Sequence, residues 1–324
     1  MTVGLGWRPQ TAWLIDQRGI TFSEVIAESV DPGRVPRALA AAVDRGVTMI
    51  PHGTSLALGG AERPDPRRLA RLGAIAKALR APLVSEHVAF ARAGGLQASH
   101  FLPVPRSRAQ LAVLVDNVRR AIDQLPVPLA LENVAAPLTW PEDTSEAEFL
   151  AELVDRTGAQ LVLDVANLHA NIINHGTVDL DRLPLDRVAY LHVAGGARVD
   201  VLWRDTHAHA VPPATLELLQ RVLAKTGPKP VLLERDDRFP ARAELEAELD
   251  ALARVTAAAQ AAPRAPRVYD ELPAVTPALR HALDDRHTTL LRALLDPARR
   301  PPPGFAPHHI AEARSIFRAK QSRL

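Results

Sequence analysis

Imidazole, carboxylate and amide side chains recur along this sequence at the ends of short apolar runs. They occur in Pro51-His52-Gly53, Ser85-Glu86-His87, Leu131-Glu132-Asn133, Leu163-Asp164-Val165-Ala166-Asn167, Leu191-His192-Val193 and Leu233-Glu234-Arg235, and again in Asp205-Thr206-His207-Ala208-His209. If such groups converge, they must be paired, protonated or bound to metal, because an unpaired buried charge costs several kcal/mol. The pattern therefore predicts a site for two or three metal ions that share bridging carboxylates.

The donor atoms in this set are nitrogen and oxygen only. The chain has no cysteine, which excludes disulfides, thiolate ligands from the chain itself and a cysteine nucleophile. Such a donor set disfavours copper(I) and iron–sulfur clusters and suits iron, zinc or manganese. Composition alone does not choose among these three metals.

Eight apolar runs predict buried strands, and amphipathic stretches of helical period lie between most of them. The predicted strands cover residues 3–6, 22–27, 47–51, 82–87, 129–134, 160–164, 188–193 and 230–234. The predicted helices cover residues 35–45, 66–80, 108–125, 146–157, 215–226 and 241–258. Capping signals agree with these bounds, since Asp65 precedes a proline and Ser107 and Ser145 begin capping boxes.

This alternation predicts an α/β fold, specifically a (β/α)8 TIM barrel with its site at the carboxyl ends of the strands. An open doubly wound sheet is the alternative. It is disfavoured because neither G-x-G-x-x-G nor G-x-x-x-x-G-K follows any predicted strand.

The charge distribution divides the chain into two predicted parts. Residues 1–259 contain 28 Lys and Arg against 31 Asp and Glu, whereas residues 260–324 contain 11 against 6. Residues 261–267 have the composition of a Pro-rich linker, and short basic helices are predicted at 277–284, 288–295 and 307–320. The tail histidines 281, 287, 308 and 309 are interpreted as solvated. This C-terminal extension is expected to engage a partner or substrate, and the barrel is expected to keep its metal without it.

Composition also limits the protein class. Hydrophobic residues make up 47% and charged residues 23%, and the formal net charge is +2. No run approaches the ~18 apolar residues of a membrane span, and no signal peptide is recognised at the start. We therefore expect a cytoplasmic protein that binds neither nucleic acid nor membrane.

Over about residues 3–255 the sequence resembles the multinuclear non-heme iron-dependent oxidases, including those of methanobactin and thiaglutamate biosynthesis. The resemblance is carried by Gly4-Leu5-Gly6, Pro51-His52-Gly53-Thr54-Ser55-Leu56, Ser85-Glu86-His87, His100-Phe101-Leu102-Pro103, Leu131-Glu132-Asn133, Leu163-Asp164-Val165-Ala166-Asn167, Asn174-His175-Gly176, His192-Val193-Ala194-Gly195, Asp205-Thr206-His207 and Leu233-Glu234-Arg235-Asp236.

The resemblance implies a barrel like that of xylose isomerase, with two or three mixed-valent Fe2+/Fe3+ ions at its mouth. The implied metal ligands are His52, His87, Glu132, Asp164, Asn167, His192, Asp205, His207 and Glu234. It also implies dioxygen as co-substrate, a cysteine in a ribosomally made precursor peptide as the modified group, and a small partner protein that presents the peptide.

Several roles and functions stay open at this point. The roles of His169, His175 and His209 are not carried over. Glu24 lies on the second predicted strand and Glu28 just after it, and Glu28 is interpreted as a salt-bridging group at the rim. Alternative functions are a multi-zinc hydrolase or phosphodiesterase of the apurinic-endonuclease type, a sugar isomerase of the xylose-isomerase type, and a binding scaffold with a vestigial metal site. A phosphodiesterase would need basic loops around the mouth.

Overall fold

A computed structural model describes residues 2–141, 144–257 and 267–321. Its strands are β1 (Val3–Gly6), β2 (Phe22–Ile26), β3 (Thr48–Gly53), β4 (Val84–His87), β5 (Ala89–Ala93), β6 (Leu96–Pro103), β7 (Leu129–Glu132), β8 (Gln160–Asp164), β9 (Val188–Val199), β10 (Leu202–His209) and β11 (Val231–Glu234). Its α-helices are α1 (Ala12–Gln17), α2 (Arg37–Asp44), α3 (Pro66–Ala78), α4 (Arg108–Gln124), α5 (Glu146–Thr157), α6 (Val165–His175), α7 (Pro213–Thr226), α8 (Arg242–Thr256), α9 (Pro277–Leu295) and α10 (Pro307–Gln321).

Eight of these strands close into the predicted parallel barrel. The order around the barrel is β1, β2, β3, β4, β7, β8, β9 and β11, and β11 pairs with β1 in parallel to complete the circle. All eight predicted strands are present, and their bounds differ from the predicted ones mainly at the ends. The (β/α)8 fold expected from the sequence is thus confirmed.

An apolar layer fills the barrel and sets the orientation of everything above it. It consists of one residue from each of six strands, namely Phe22, Ile50, Ala130, Val162, Tyr190 and Leu232. Side chains alternate between the two faces of a strand, so the residue two positions further on each strand also points into the barrel. The sequence places an acid or a histidine at all six of those positions. This apolar layer is called the barrel floor below.

Two antiparallel hairpins extend from the carboxyl ends of the strands and were not predicted. One hairpin pairs β5 with β6, and the other pairs the long outer half of β9 with β10. The sequence indicated a loop at 205–209, but these residues belong to β10. Among the described strands β10 pairs with β9 alone, and its residues follow no clean alternation of apolar and polar types, so local periodicity does not indicate a strand there.

The predicted N-cap residues make the expected capping hydrogen bond at two of three helices. The Asp65 side chain accepts a hydrogen bond from the backbone nitrogen of Arg67, and Ser107 accepts one from Gln110. Ser145 precedes α5 as predicted, but its side chain makes no capping hydrogen bond. Helices α1 and α6 were missed; α6 begins directly after β8, so no loop separates the two patterns.

The C-terminal extension differs from its prediction in two respects. The segments 277–284 and 288–295 form the single helix α9, because the polar residues between them do not interrupt its backbone hydrogen bonding. His287 is fully buried and not solvated. The predicted linker lies outside the described residues except for Arg267, whose guanidinium pairs with Asp155 and Asp186. Within the described ranges, no helix combines the length and apolar character needed to cross a bilayer.

Candidate metal centre

A ring of acids and histidines lies directly above the barrel floor. Its members are Glu24, His52, Glu132, Asp164, His192 and Glu234, each two residues after a floor residue, together with His87 at the end of β4. All seven are buried. Because parallel strands end at the same face of the barrel, the predicted side chains lie at one mouth.

His52 on β3 and His87 on β4 each have one imidazole nitrogen in contact with a protein oxygen. The other imidazole nitrogen of each points to the centre of the cluster of acids and histidines. His52 Nδ1 lies 2.8 Å from Ser85 Oγ, and His87 Nδ1 lies 3.2 Å from the Gly53 carbonyl oxygen. The two Nε2 atoms are 3.3 Å apart and lie 3.4 and 3.7 Å from Glu132 Oε2. This orientation is typical of metal-binding histidines.

His192 and His207 repeat that arrangement on the opposite side. His192 Nε2 lies 3.1 Å from Glu24 Oε2, while its Nδ1 lies 3.2 Å from Glu234 Oε2. His207 Nδ1 lies 3.0 Å from Asp236 Oδ2, and its Nε2 lies 2.5 Å from Asp205 Oδ2. Four imidazoles therefore present one nitrogen each to a shared volume.

Several polar atoms that face this volume are buried without a hydrogen bond. Within the described part of the chain they are Glu132 Oε2, Asp164 Oδ2, His192 Nδ1, Asp205 Oδ1 and Glu234 Oε2. A buried acceptor without a partner costs ~1–3 kcal/mol, more if it is charged. All five atoms belong to side chains predicted as metal ligands, and coordination to cations would satisfy them.

The charge of the cluster also requires cations or protons. Burial raises the pKa of the Glu132 carboxyl, but the imidazoles of His192, His87 and His52 outweigh burial and lower it to about 2. Burial lowers the pKa of the His87 imidazole, but Glu132 and Glu86 outweigh it and raise that pKa to about 9. Without metal, protonated imidazoles such as that of His87 thus stabilise the ionised carboxylates of the cluster.

Even so, protonated imidazoles do not neutralise the centre. Five inner carboxyl groups, Glu24, Glu132, Asp164, Asp205 and Glu234, face four imidazoles. Burial and the negative charges of Asp205, Glu132 and Glu234 raise the pKa of the Asp164 carboxyl well above its ordinary value. Divalent or trivalent ions would replace these protons at lower cost, since they neutralise several carboxylates at once.

Four overlapping groups have ligand atoms close enough to share an ion. They are His52, His87 and Glu132; Glu132, Asp164, His192 and Glu234; Asp164, Asp205 and His207; and His207, Glu234 and Asp236. Glu132, Asp164 and Glu234 each belong to two groups, which is the geometry that a bridging carboxylate needs. Eight of the nine predicted ligands are in these groups, and their coordination of metal stays a prediction.

The ninth, Asn167, lies at the edge of the cluster. Its side-chain nitrogen is 3.5 Å from Glu132 Oε1 and donates to the Asn133 carbonyl at 3.0 Å. Its backbone nitrogen donates to Asp164 Oδ1, which leaves Oδ2 of Asp164 directed at the centre. The position agrees with a ligand or a group that orients Glu132, and the assignment as a ligand stays a prediction.

Three further histidines make contacts outside these four groups. His169 Nδ1 lies 2.9 Å from Thr215 Oγ1, and His209 Nδ1 lies 2.7 Å from Thr206 Oγ1. His175 Nε2 lies 2.7 Å from the Ala136 carbonyl oxygen. Each contact orders a segment near the mouth.

Two residues of the centre were missed by the sequence reasoning. Glu24 has no role in the sequence-based prediction, but it is buried on β2, where its carboxylate accepts hydrogen bonds from Tyr190 and Ser85. Its position two residues after Phe22 is the signal that could have identified it. Asp236 was noted only as part of a motif; it contacts His207 and pairs with Arg8.

Comparison with known proteins agrees with this geometry. The family described as "RiPP precursor modification enzyme MbnB/TglH/ChrH" matches residues 2–257, where RiPP denotes a ribosomally synthesised and post-translationally modified peptide. A "UPF0276 protein" of Streptomyces avermitilis is 51% identical over 261 residues, which cover 77% of this chain and 54% of that relative. The chain therefore matches only about half the length of that relative.

Two solved structures show the same barrel at low identity. A xylose isomerase domain protein from Planctomyces limnophilus has a TM-score of 0.53 at 14% identity, with 78% of this chain and 96% of that chain covered. Endonuclease IV from Thermus thermophilus has a TM-score of 0.50 at 20% identity, with 78% and 100% covered. These likenesses concern the fold alone. The family match over almost the whole barrel confirms the resemblance found in the motifs, and the chain belongs to the RiPP precursor modification enzymes of the MbnB/TglH/ChrH family.

Proposed function

We propose that this enzyme is a multinuclear non-heme iron-dependent oxidase that uses dioxygen to modify a cysteine, or another residue, of a ribosomally made precursor peptide. The observation that carries the proposal is the set of four oriented imidazoles facing buried carboxylates with unpartnered atoms. Nitrogen and oxygen donors of this kind suit iron. Family membership supplies the peptide as the substrate class.

The residues divide into those that would hold ions and those that orient them. His52, His87 and Glu132 would hold one ion, and Glu132, Asp164, His192 and Glu234 a second. Asp164, Asp205 and His207 would hold a third ion. This number agrees with the two or three ions expected from the sequence. Bound iron would supply the redox and oxygen chemistry. Because the chain has no cysteine, any thiolate at the centre would belong to the substrate.

The surroundings favour an oxidase over a phosphodiesterase. A phosphodiesterase would need unpaired basic groups around the mouth for phosphate. Arg8 instead pairs with Asp236 at 2.5 Å, and Arg204 pairs with Glu312 at 2.7 Å. These two guanidiniums are therefore neutralised by the protein itself.

The test is metal analysis of protein purified without air, followed by turnover. We expect two or three irons per chain, Mössbauer signals of coupled ferrous and ferric ions, and dioxygen-dependent mass change of a cysteine-containing precursor peptide. The same peptide with cysteine replaced by serine is the matched substrate control. Full activity of iron-free, zinc-loaded protein would overturn the oxidase assignment and favour the hydrolase.

A small partner protein that presents the peptide is proposed as well, and its omission should raise KM for the peptide more than it lowers kcat.

A further inference from the structure

The C-terminal extension, residues 267–321, is packed on the barrel through its two helices. Leu290, Leu291 and Leu294 of α9 and Ile310 and Phe317 of α10 are buried in the same apolar cluster as the barrel strands and helices. Burial of these five side chains removes apolar surface from water and thereby stabilises the contact. The extension is thus part of the folded core.

Helix α9 holds the first mouth hairpin, β5–β6. The His287 ring stacks on Phe90 of β5 at 4.1 Å, and Asp284 accepts a hydrogen bond from the Gly94 backbone at the hairpin turn. A side chain at Gly94 would overlap Thr288, so the turn approaches the helix as closely as glycine permits. The same hairpin carries Phe101, which stacks on His87 at 4.0 Å.

Helix α10 reaches the second mouth hairpin, β9–β10. Glu312 is buried, and its Oε2 accepts from the Arg204 guanidinium at 2.7 Å. Ser315 Oγ lies 3.3 Å from the same guanidinium nitrogen. Arg204 directly precedes Asp205 on β10, so this ion pair is one residue away from a predicted metal ligand.

Hairpin β9–β10 extends beyond the barrel strands. The segment after β11 holds its outer strand at His207, where the backbone nitrogen of Asp236 donates to the His207 carbonyl oxygen at 3.0 Å. β10 pairs with β9 alone, and the register shifts between Asp205 and His209. His207 has a φ of +52°, in the left-handed region that disfavours residues other than glycine. On α6, the Asn174 side chain holds the backbone of Trp203 through two hydrogen bonds of 2.8 Å. Glu312 is a further anchor of this strand, and it belongs to the C-terminal extension.

We infer that the C-terminal extension is a clamp on the metal centre and that Glu312 is a positioning residue for Asp205 and His207. The clamp joins both mouth hairpins, and the Glu312–Arg204 ion pair fixes the strand that carries the two outermost ligands. The inference rests on the proposed metal function for its effect on ions, but not for its effect on the hairpin. It departs from the expectation that residues 1–259 keep all their metal alone.

Two variants test the ion pair in the full chain. Glu312→Ala and Arg204→Ala each remove one partner, and Glu312→Gln keeps the size of the side chain if the alanine variant does not fold. Arg318→Ala, at an exposed position of α10, is the matched control. In metal-free protein we expect hydrogen exchange of residues 195–209 to quicken about tenfold in either variant, with the barrel strands unchanged. The double variant should resemble either single one, since the pair acts as a unit.

Metal content supplies the second measurement. After dialysis against a chelator at limiting concentration, we expect the Glu312 and Arg204 variants to lose one ion per chain while the others stay bound. Unchanged exchange of residues 195–209, or full retention of all ions by both variants, would overturn the clamp. Absence of metal from the wild-type chain would instead overturn the proposed function, and the exchange measurement would still decide the inference.

Discussion

Glu24 Oε2 lies 3.1 Å from Nε2 of His192 and accepts hydrogen bonds from the hydroxyl groups of Tyr190 and Ser85 as well. In a neutral His192 imidazole, this carboxylate would favour the proton on Nε2. Nδ1 is left to face Glu234 and the centre of the cluster. A residue with three partners of this kind would orient His192 rather than bind a metal ion itself.

Replacing Glu24 by glutamine should weaken this orientation while leaving the barrel folded. The amide is neutral and holds the His192 N–H less strongly, so we expect metal affinity to fall about 10-fold to 100-fold. The measurement is competition with a chromogenic chelator. Glu28→Gln is the control, because Glu28 accepts from the Thr54 backbone at the rim. Equal affinities for the Glu24 variant and the wild type would remove Glu24 from the centre.

Replacing Glu132 by glutamine should have a larger effect on metal content. Glu132 Oε2 faces His52 and His87, while Oε1 lies 3.5 Å from His192 Nδ1, so the carboxylate stands between two groups of ligands. Loss of a bridging charge would leave two cations repelling each other. We expect at least one ion per chain to be lost, and turnover to be abolished, at an unchanged far-UV circular dichroism spectrum. Wild-type metal content in this variant would show that Glu132 is not a bridge.

Asp236 lies outside the ring of acids and histidines above the barrel floor and allows a separate test of how His207 is oriented. It lies 3.0 Å from His207 Nδ1 and is held by Arg8 at 2.5 Å. Asp236→Asn would no longer favour the tautomer that directs His207 Nε2 at Asp205, so we expect selective loss of the ion nearest these residues, measured as ions per chain. Asp237→Asn is the neighbouring control, because that carboxylate accepts from the backbone of Arg238. Similar losses in both variants would argue against a specific role for Asp236.

Much of the candidate metal centre could be predicted because a single sequence rule gives the positions of its side chains. An apolar residue at i and an acid or histidine at i+2 recur as Ile50 and His52 and as Tyr190 and His192, which fixes both the strand and its inward face. Phe22 and Glu24 follow the same rule, but β2 ends without the motif residues that mark the other strands. Glu24 therefore has no role in the sequence-based prediction.

The remainder depended on packing that local patterns do not encode. β10 lacks a clean alternation of apolar and polar residues. Its conformation is held by Asn174, Asp236 and Glu312, which are distant in sequence. His287 follows three charged residues, Asp284, Asp285 and Arg286, so its neighbours in sequence suggested that its side chain is exposed to solvent. Its burial arises from Phe90 and Trp140, which long-range folding brings to α9.

His287 makes the stability of the extension depend on pH. Its ring is fully buried, and within the described residues neither ring nitrogen has a hydrogen-bond partner. Burial, together with the charge of Arg286, lowers the pKa of the imidazole from 6.5 to about 3. The unfolded chain therefore binds a proton between pH 6.5 and 3 that the folded chain does not. Stability from this group is complete above about pH 6.5 and is lost as the pH falls towards 3.

Replacing His287 by phenylalanine should remove this dependence. The new ring keeps the stacking on Phe90 and leaves no buried nitrogen without a partner, so we expect a higher free energy of unfolding at about pH 7.5 and a larger gain at about pH 5. The measurement is urea unfolding of metal-free wild type and variant at both pH values, because the difference between the two proteins cancels the titration of the metal centre. His281→Phe, exposed on the same helix, is the control. A gain that is the same at both pH values would show that His287 does not titrate on unfolding, and that its burial does not set the acid sensitivity of the extension.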